Sequence, residues 1–124
     1  MKNYILVLIG GGIGATTRYW ASNVVYRWLP ADFPYGNLFV NISACFLIGF
    51  LMTGLNERFL LNPSLRVFLT IGLLGGYSTF SSFSYETIAL IRDGEFLRAV
   101  VNVSASVGVG LLSTAAGAFA GKVI

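Results

Sequence analysis

The chain has 124 residues, of which 56% are hydrophobic and only 10% charged, with a formal net charge of +3. A soluble domain carries about 25% charged residues, and one this short could not hide so much apolar surface, so at a mean hydropathy of +0.77 the expected solvent is a lipid bilayer. Lys and Arg occur singly rather than as a basic stripe, which excludes a nucleic-acid partner, and the absence of His with a single Cys excludes a Ser-His-Asp triad, His-bound zinc and an intrachain disulfide.

Spanning a bilayer takes about 20 apolar residues as a helix, and only helices or closed barrels satisfy every backbone group there. Continuous apolar runs, rather than the period-two alternation of barrel strands, predict four transmembrane helices in one domain over residues 1–124. The first is expected at about Tyr4–Leu29, ended by "LPADFP". Its basic start resembles a secretory leader, but no A-x-A cleavage site follows, so it is expected to be retained. Gly10-x-Gly12-x-x-Ala15 mimics a dinucleotide fingerprint, with Asp32 about 20 residues on, yet no βαβ unit follows it. Arg18 lies inside this span, where it either neutralises a local carbonyl cluster, the plainer reading, or draws anions to a vestibule.

The second helix is expected at about Gly36–Leu55, ended by "NERFLLNP". Asn37 and Asn41 share one face, with Ser43 nearby, and Cys45 reads as a small packing residue. The third is expected at about Leu65–Ile91, ended by "RDGE", and carries the insert "GGYSTFSSFS". Two adjacent glycines cost a helix about 1 kcal/mol each relative to alanine, which predicts a break at membrane depth. Phe80 and Phe83 then share a helical face, with Ser81 and Ser84 following them around. Glu86, further along, reads either as a vestibule residue or as a pairing residue. The fourth helix, about Phe96–Val123, repeats Asn102, Ser106, Gly110 and Thr114 every four residues as a polar track. The sequons at Asn41 and Asn102 fall inside spans and are not glycosylation sites.

Gly10-x-x-x-Gly14, Gly72-x-x-x-Gly76 and Gly117-x-x-x-Gly121 predict close helix crossings. With four spans, Lys2, Arg58, Arg66 and Lys122 fall on one side. Arg27, Arg92 and Arg98, with Arg18 if it reaches the interface, fall on the other. The positive-inside bias that fixes orientation is nearly absent, which predicts dual topology and an antiparallel homodimer. Polar side chains at membrane depth usually face a bundle interior or a water-filled path. Here they are chiefly amides and hydroxyls, neutral donors, joined by phenylalanine rings with positive edges. That inventory suits a small anion shedding water better than a cation, which would want carboxylates or ordered carbonyl rings.

"GGGIGATTRY" (10–19), "GNLFVNISACFLIG" (36–49) and "GLLGGYSTFSSFS" (72–84) together resemble the Fluc (CrcB-type) fluoride channels over essentially the whole chain. The resemblance implies a multi-pass protein of the cell (inner) membrane, not an enzyme, that passively exports fluoride. It also implies an antiparallel dual-topology homodimer with two pores and a structural sodium ion at its centre. By that likeness the pore asparagine is Asn41, the paired pore phenylalanines are Phe80 and Phe83, and carbonyls at Gly75 and Ser78 hold sodium. The polar track falls on Asn102 and Ser106 and runs through Gly110 toward Ser113 or Thr114. The chain departs from the family pattern at Gly110, which lacks a hydroxyl, and at Asn102, where a tyrosine can occur. The alternative at this size, a proton-coupled small multidrug exporter, needs a carboxylate in the middle of the first helix. None lies between Met1 and Trp20.

Overall fold

The computed structural model describes residues 1–57 and 62–123, the side chains of residues 55–57 excepted. Arg58 of the charge count lies outside the described residues. Every regular element among them is helical: α1 (Lys2–Trp28), α2 (Tyr35–Glu57), α3 (Pro63–Arg66), a π-helical stretch (Val67–Leu74), α4 (Gly75–Tyr77), α5 (Phe80–Arg92) and α6 (Phe96–Val123). At 1.5 Å per residue, α1 and α6 are each about 40 Å long.

Local chemistry sets the ends. Pro30 and Pro34 flank the loop after α1, where a helix would lose donors. Asn62 caps α3 by accepting the Ser64 N–H at 2.9 Å, with Pro63 in the first helical position. Between α5 and α6, Gly94 takes φ +77°. Its N–H donates to the Ile91 carbonyl and the Glu95 N–H to that of Leu90, at 3.1 and 2.8 Å. This paired closure uses glycine where a side chain would be strained.

By length and hydropathy, α2 over Tyr35–Gly54 and α6 are apolar enough to cross a membrane. The length of α1 suffices, but Gly10–Gly12, Thr16, Thr17 and Arg18 dilute its hydropathy. The third expected span is divided by its own break into shorter helices. Packing is inverted relative to a soluble protein. Apart from Phe33 in the loop after α1, the buried residues are small or medium, Val40, Ala44, Ala99 and Leu74 among them, whereas Leu8, Leu111, Leu112 and Phe119 face outward. A water-exposed surface of that kind would aggregate.

Two close crossings organise the chain. α1 lies along the π-helical stretch and α4, and α2 lies along α6. A Cβ at Gly14 would run into the Leu73 carbonyl, and one at Gly117 into the Phe46 carbonyl. All three small-residue motifs sit at such contacts, with Gly10, Gly72 and Gly76 against the α1 crossing and Gly121 against α2. Backbones this close gain dispersion contacts where lipid offers no hydrophobic drive.

Candidate functional site

The third helix is interrupted at Ser78 and Thr79. Both are extended, with φ and ψ of −85° and 153°, then −149° and 122°. The expected break ran from Gly75 to Ser78; Ser78 lies in it, but Gly75 is helical at φ −62° and ψ −36°. Gly76 instead gives close approach, because a Cβ there would strike the Gly11 backbone. The break is held by a side chain 38 residues away. Asn41 accepts the Thr79 N–H on Oδ1 at 3.0 Å and donates from Nδ2 to the Thr79 carbonyl at 3.1 Å. With that N–H turned to Asn41, the Gly75 carbonyl loses the partner an unbroken helix would give it.

Neighbouring groups complete the break. The Ser78 N–H and hydroxyl both donate to the Leu74 carbonyl at 3.0 Å. Thr79 Oγ1 caps α5 by accepting the Ser82 N–H at 3.3 Å. Arg18 Nε donates to the Gly76 carbonyl at 3.4 Å, so its positive charge faces the carbonyl end of α4, where it is favourable.

Beside the break lies an open cavity of about 440 Å³, lined by Asn41, Gly75, Ser78, Phe80, Phe83 and Ser106 among others. It meets a gap too tight for a water molecule, lined by Asn37, Asn41, Phe83, Glu86, Asn102 and Ser106. Beyond the gap a second cavity of about 330 Å³ opens toward the loops, with Tyr26, Asp32, Glu86 and Arg98 in its wall. Asn41, Phe83 and Ser106 belong to both the first cavity and the gap; Pro34 and Glu86 belong to both the gap and the second cavity. The three spaces therefore form a chain with one constriction.

The constriction is furnished with neutral donors. Asn41 keeps one amide proton after serving Thr79. Ser106 makes no hydrogen bond among the described residues, so its hydroxyl is available. Asn102 is 2% exposed and uses one Nδ2 proton on Thr87 Oγ1 at 3.0 Å. The Glu86 carboxylate accepts from Asn37 Nδ2, so a single residue both lines the wall and pairs across to α2. The Phe80 and Phe83 ring centroids are 5.4 Å apart at 49°.

Some expected residues lie outside the constriction. Phe80 is 79% exposed on the open side of the first cavity. Ser81 and Ser84 are exposed and outside the cavity walls. The Thr114 hydroxyl donates to the Gly110 carbonyl at 3.1 Å, one turn back on its own helix. Ser113 reaches across instead, donating to the Ile42 carbonyl at 2.9 Å. Thr79 and Thr87 were not singled out in the sequence. Thr79 had a detectable signal, a hydroxyl three residues ahead of Ser82 at a helix start; Thr87 looks like any threonine on a helix.

The family of CrcB-like proteins (camphor resistance, CrcB) matches residues 5–118 of the chain. Among curated proteins the chain is similar to the fluoride-specific ion channel FluC of Geotalea daltonii, 48% identical over 100% of both chains. The FluC of Geobacter sulfurreducens is 43% identical over 98% of both. That of Methylococcus capsulatus is 48% identical over 82% of this chain, which spans only 44% of that longer relative.

Proposed function

Because this chain belongs to the CrcB-like protein family, we propose that it is a membrane channel conducting fluoride. The observation that carries this reading beyond the family is the shared wall of the constriction, where Asn41, Phe83 and Ser106 meet. A fluoride ion is about the size of a water molecule, so it passes that gap only as the side chains lining it give way, and it sheds its water there. It is compensated by the free Ser106 hydroxyl, the remaining Asn41 and Asn102 amide protons and the positive edge of the Phe83 ring. None of these donors carries charge, and the Glu86 carboxylate in the same wall, engaged with Asn37, opposes the ion, so it is held without being trapped, as conduction requires. Narrowness favours fluoride over larger halides.

Four segments cross the bilayer in this reading: α1, α2, the broken helix from α3 through α5, and α6. The open side of the first cavity, with exposed Phe80 and Val107, is covered by a second copy inserted the opposite way. The charge count supports such an arrangement. Arg18 is engaged at Gly76 and leaves Lys2, Arg58, Arg66 and Lys122 against Arg27, Arg92 and Arg98. Each dimer then carries two pores in the cell's inner membrane. Its inside-negative potential, worth about 2.3 kcal/mol per charge per 100 mV, drives fluoride out with no coupled ion.

A sodium ion fits the break by the chemistry of its donors. The Gly75 carbonyl is released, a hard cation prefers oxygen ligands, and no cluster of three or more His, Cys, Asp or Glu that could hold a metal occurs among the described residues. Gly75 and Ser78 would supply main-chain oxygens from each copy, and the ion would fix the junction rather than cross.

Purified protein in potassium-loaded vesicles, with valinomycin to clamp the potential, is expected to release fluoride to an electrode much faster than chloride. Equal fluoride and chloride efflux sinks the proposal. Repeating the measurement with sodium withdrawn tests the cation, with loss of efflux expected.

A further inference from the structure

Thr87 lies one turn beyond Phe83 on α5, outside the residues that line the constriction. Its hydroxyl donates to the Phe83 carbonyl at 2.8 Å. A carbonyl can only accept, so the single hydroxyl proton is committed there. What remains on Thr87 Oγ1 is acceptor capacity, and Asn102 Nδ2 of α6 fills it at 3.0 Å. The direction of this short relay is therefore forced: the nitrogen of the Asn102 amide, not its oxygen, must face Thr87. Asn102 is 2% exposed, so no bulk water competes for the choice. Glu86, the neighbouring carboxylate on the same helix, is engaged with Asn37, and Ser106, one turn after Asn102, has no partner among the described residues.

We infer that Thr87 is a positioning residue: its hydroxyl fixes the turn of α5 that presents Phe83 and sets the orientation of the Asn102 amide at the constriction. Two walls of the gap, one from α5 and one from α6, are thereby set by one oxygen. The inference rests on the channel reading above.

The test is Thr87→Val, close in shape but without the hydroxyl, alongside Thr87→Ser, which keeps it. Both are purified and placed in the potassium-loaded vesicles. Thr87→Val is expected to slow fluoride efflux at least tenfold and to lower the fluoride-over-chloride ratio, while still eluting as a single species on gel filtration. Thr87→Ser is expected to stay within about twofold of the wild type in both. Should Thr87→Val fail to fold, Thr87→Ala, whose smaller side chain admits a water to Asn102, carries the same readout. Unchanged efflux and ratio in the variant lacking the hydroxyl overturn the inference. So does a fall in efflux matched by a fall in folded protein at constant ratio, the mark of a purely structural bond. Wild-type vesicles that pass no fluoride overturn the channel reading and this assignment with it; a conducting wild type beside an indifferent Thr87→Val overturns the assignment alone.

Discussion

Asn41→Ala removes both bonds that hold the extended Thr79. The Thr79 N–H and carbonyl lose partners at 3.0 and 3.1 Å. Each neutral hydrogen bond contributes about 1 kcal/mol net, and an orphaned buried group costs about 1–3 kcal/mol. Thr79 is only half-buried, so water entering the 440 Å³ cavity offsets part of that cost. The expected destabilisation is therefore about 2 kcal/mol, or about 10 °C in the apparent Tm of a chain this size. The assay is thermal unfolding in detergent at a fixed scan rate, read beside fluoride efflux per folded protein. Efflux should fall at least tenfold, because both a free amide proton and the geometry of the break are lost. An Asn41→Ala protein that melts within about 2 °C of the wild type refutes the clamp, whatever its efflux.

Gly117→Val should abolish the folded species on gel filtration, because its Cβ would drive into the Phe46 carbonyl and part α2 from α6. Gly110→Ser is expected to elute normally and keep its efflux, since a Cβ there meets Cys45 Sγ at an ordinary 3.5 Å; aggregation would contradict the packing described. Asp32→Asn loosens the Arg98 ion pair, 3.0 Å long between side chains 41% and 56% exposed. Such a pair contributes about 0.5 kcal/mol, so the Tm should move by a few degrees at low salt and less at high salt. Phe80→Ala, at a ring 79% exposed on a single chain, should suppress fluoride efflux if a second copy brings that ring to a pore; wild-type efflux would contradict that placement.

The helical character, the small-residue crossings and an interruption in the third helix were all legible in the sequence, because each is a local property. Apolar runs need only length, and glycines three apart need only one helix face. The position of the interruption was legible only in part, at Ser78 but not at Thr79. Gly75 and Gly76 are poor helix formers, yet both remain helical, and at Gly76 close contact with Gly11 of α1 outweighs propensity. Ser78 and Thr79 carry the break because Asn41, distant in sequence, accepts and donates there. The same distance hides the relay from Asn102 through Thr87. Asn37, Asn41, Asn102 and Ser106 were recognisable as polar residues in apolar helices; that they border one gap depends on how α2, α5 and α6 cross.

The pairing of α1 with the broken helix and of α2 with α6 interleaves the two partnerships along the chain. A ribosome delivers α1 and α2 well before either mate exists, and α2 must wait for the last segment to emerge. During that interval the early segments have only each other, Gly36 of α2 lying against Ser22 and Tyr26 of α1, while the Gly14 and Gly49 surfaces wait for the backbones they pack on. A polypeptide cut short before α6 would strand α2 in that unmated state, so quality control during biogenesis should discriminate sharply against C-terminal truncation.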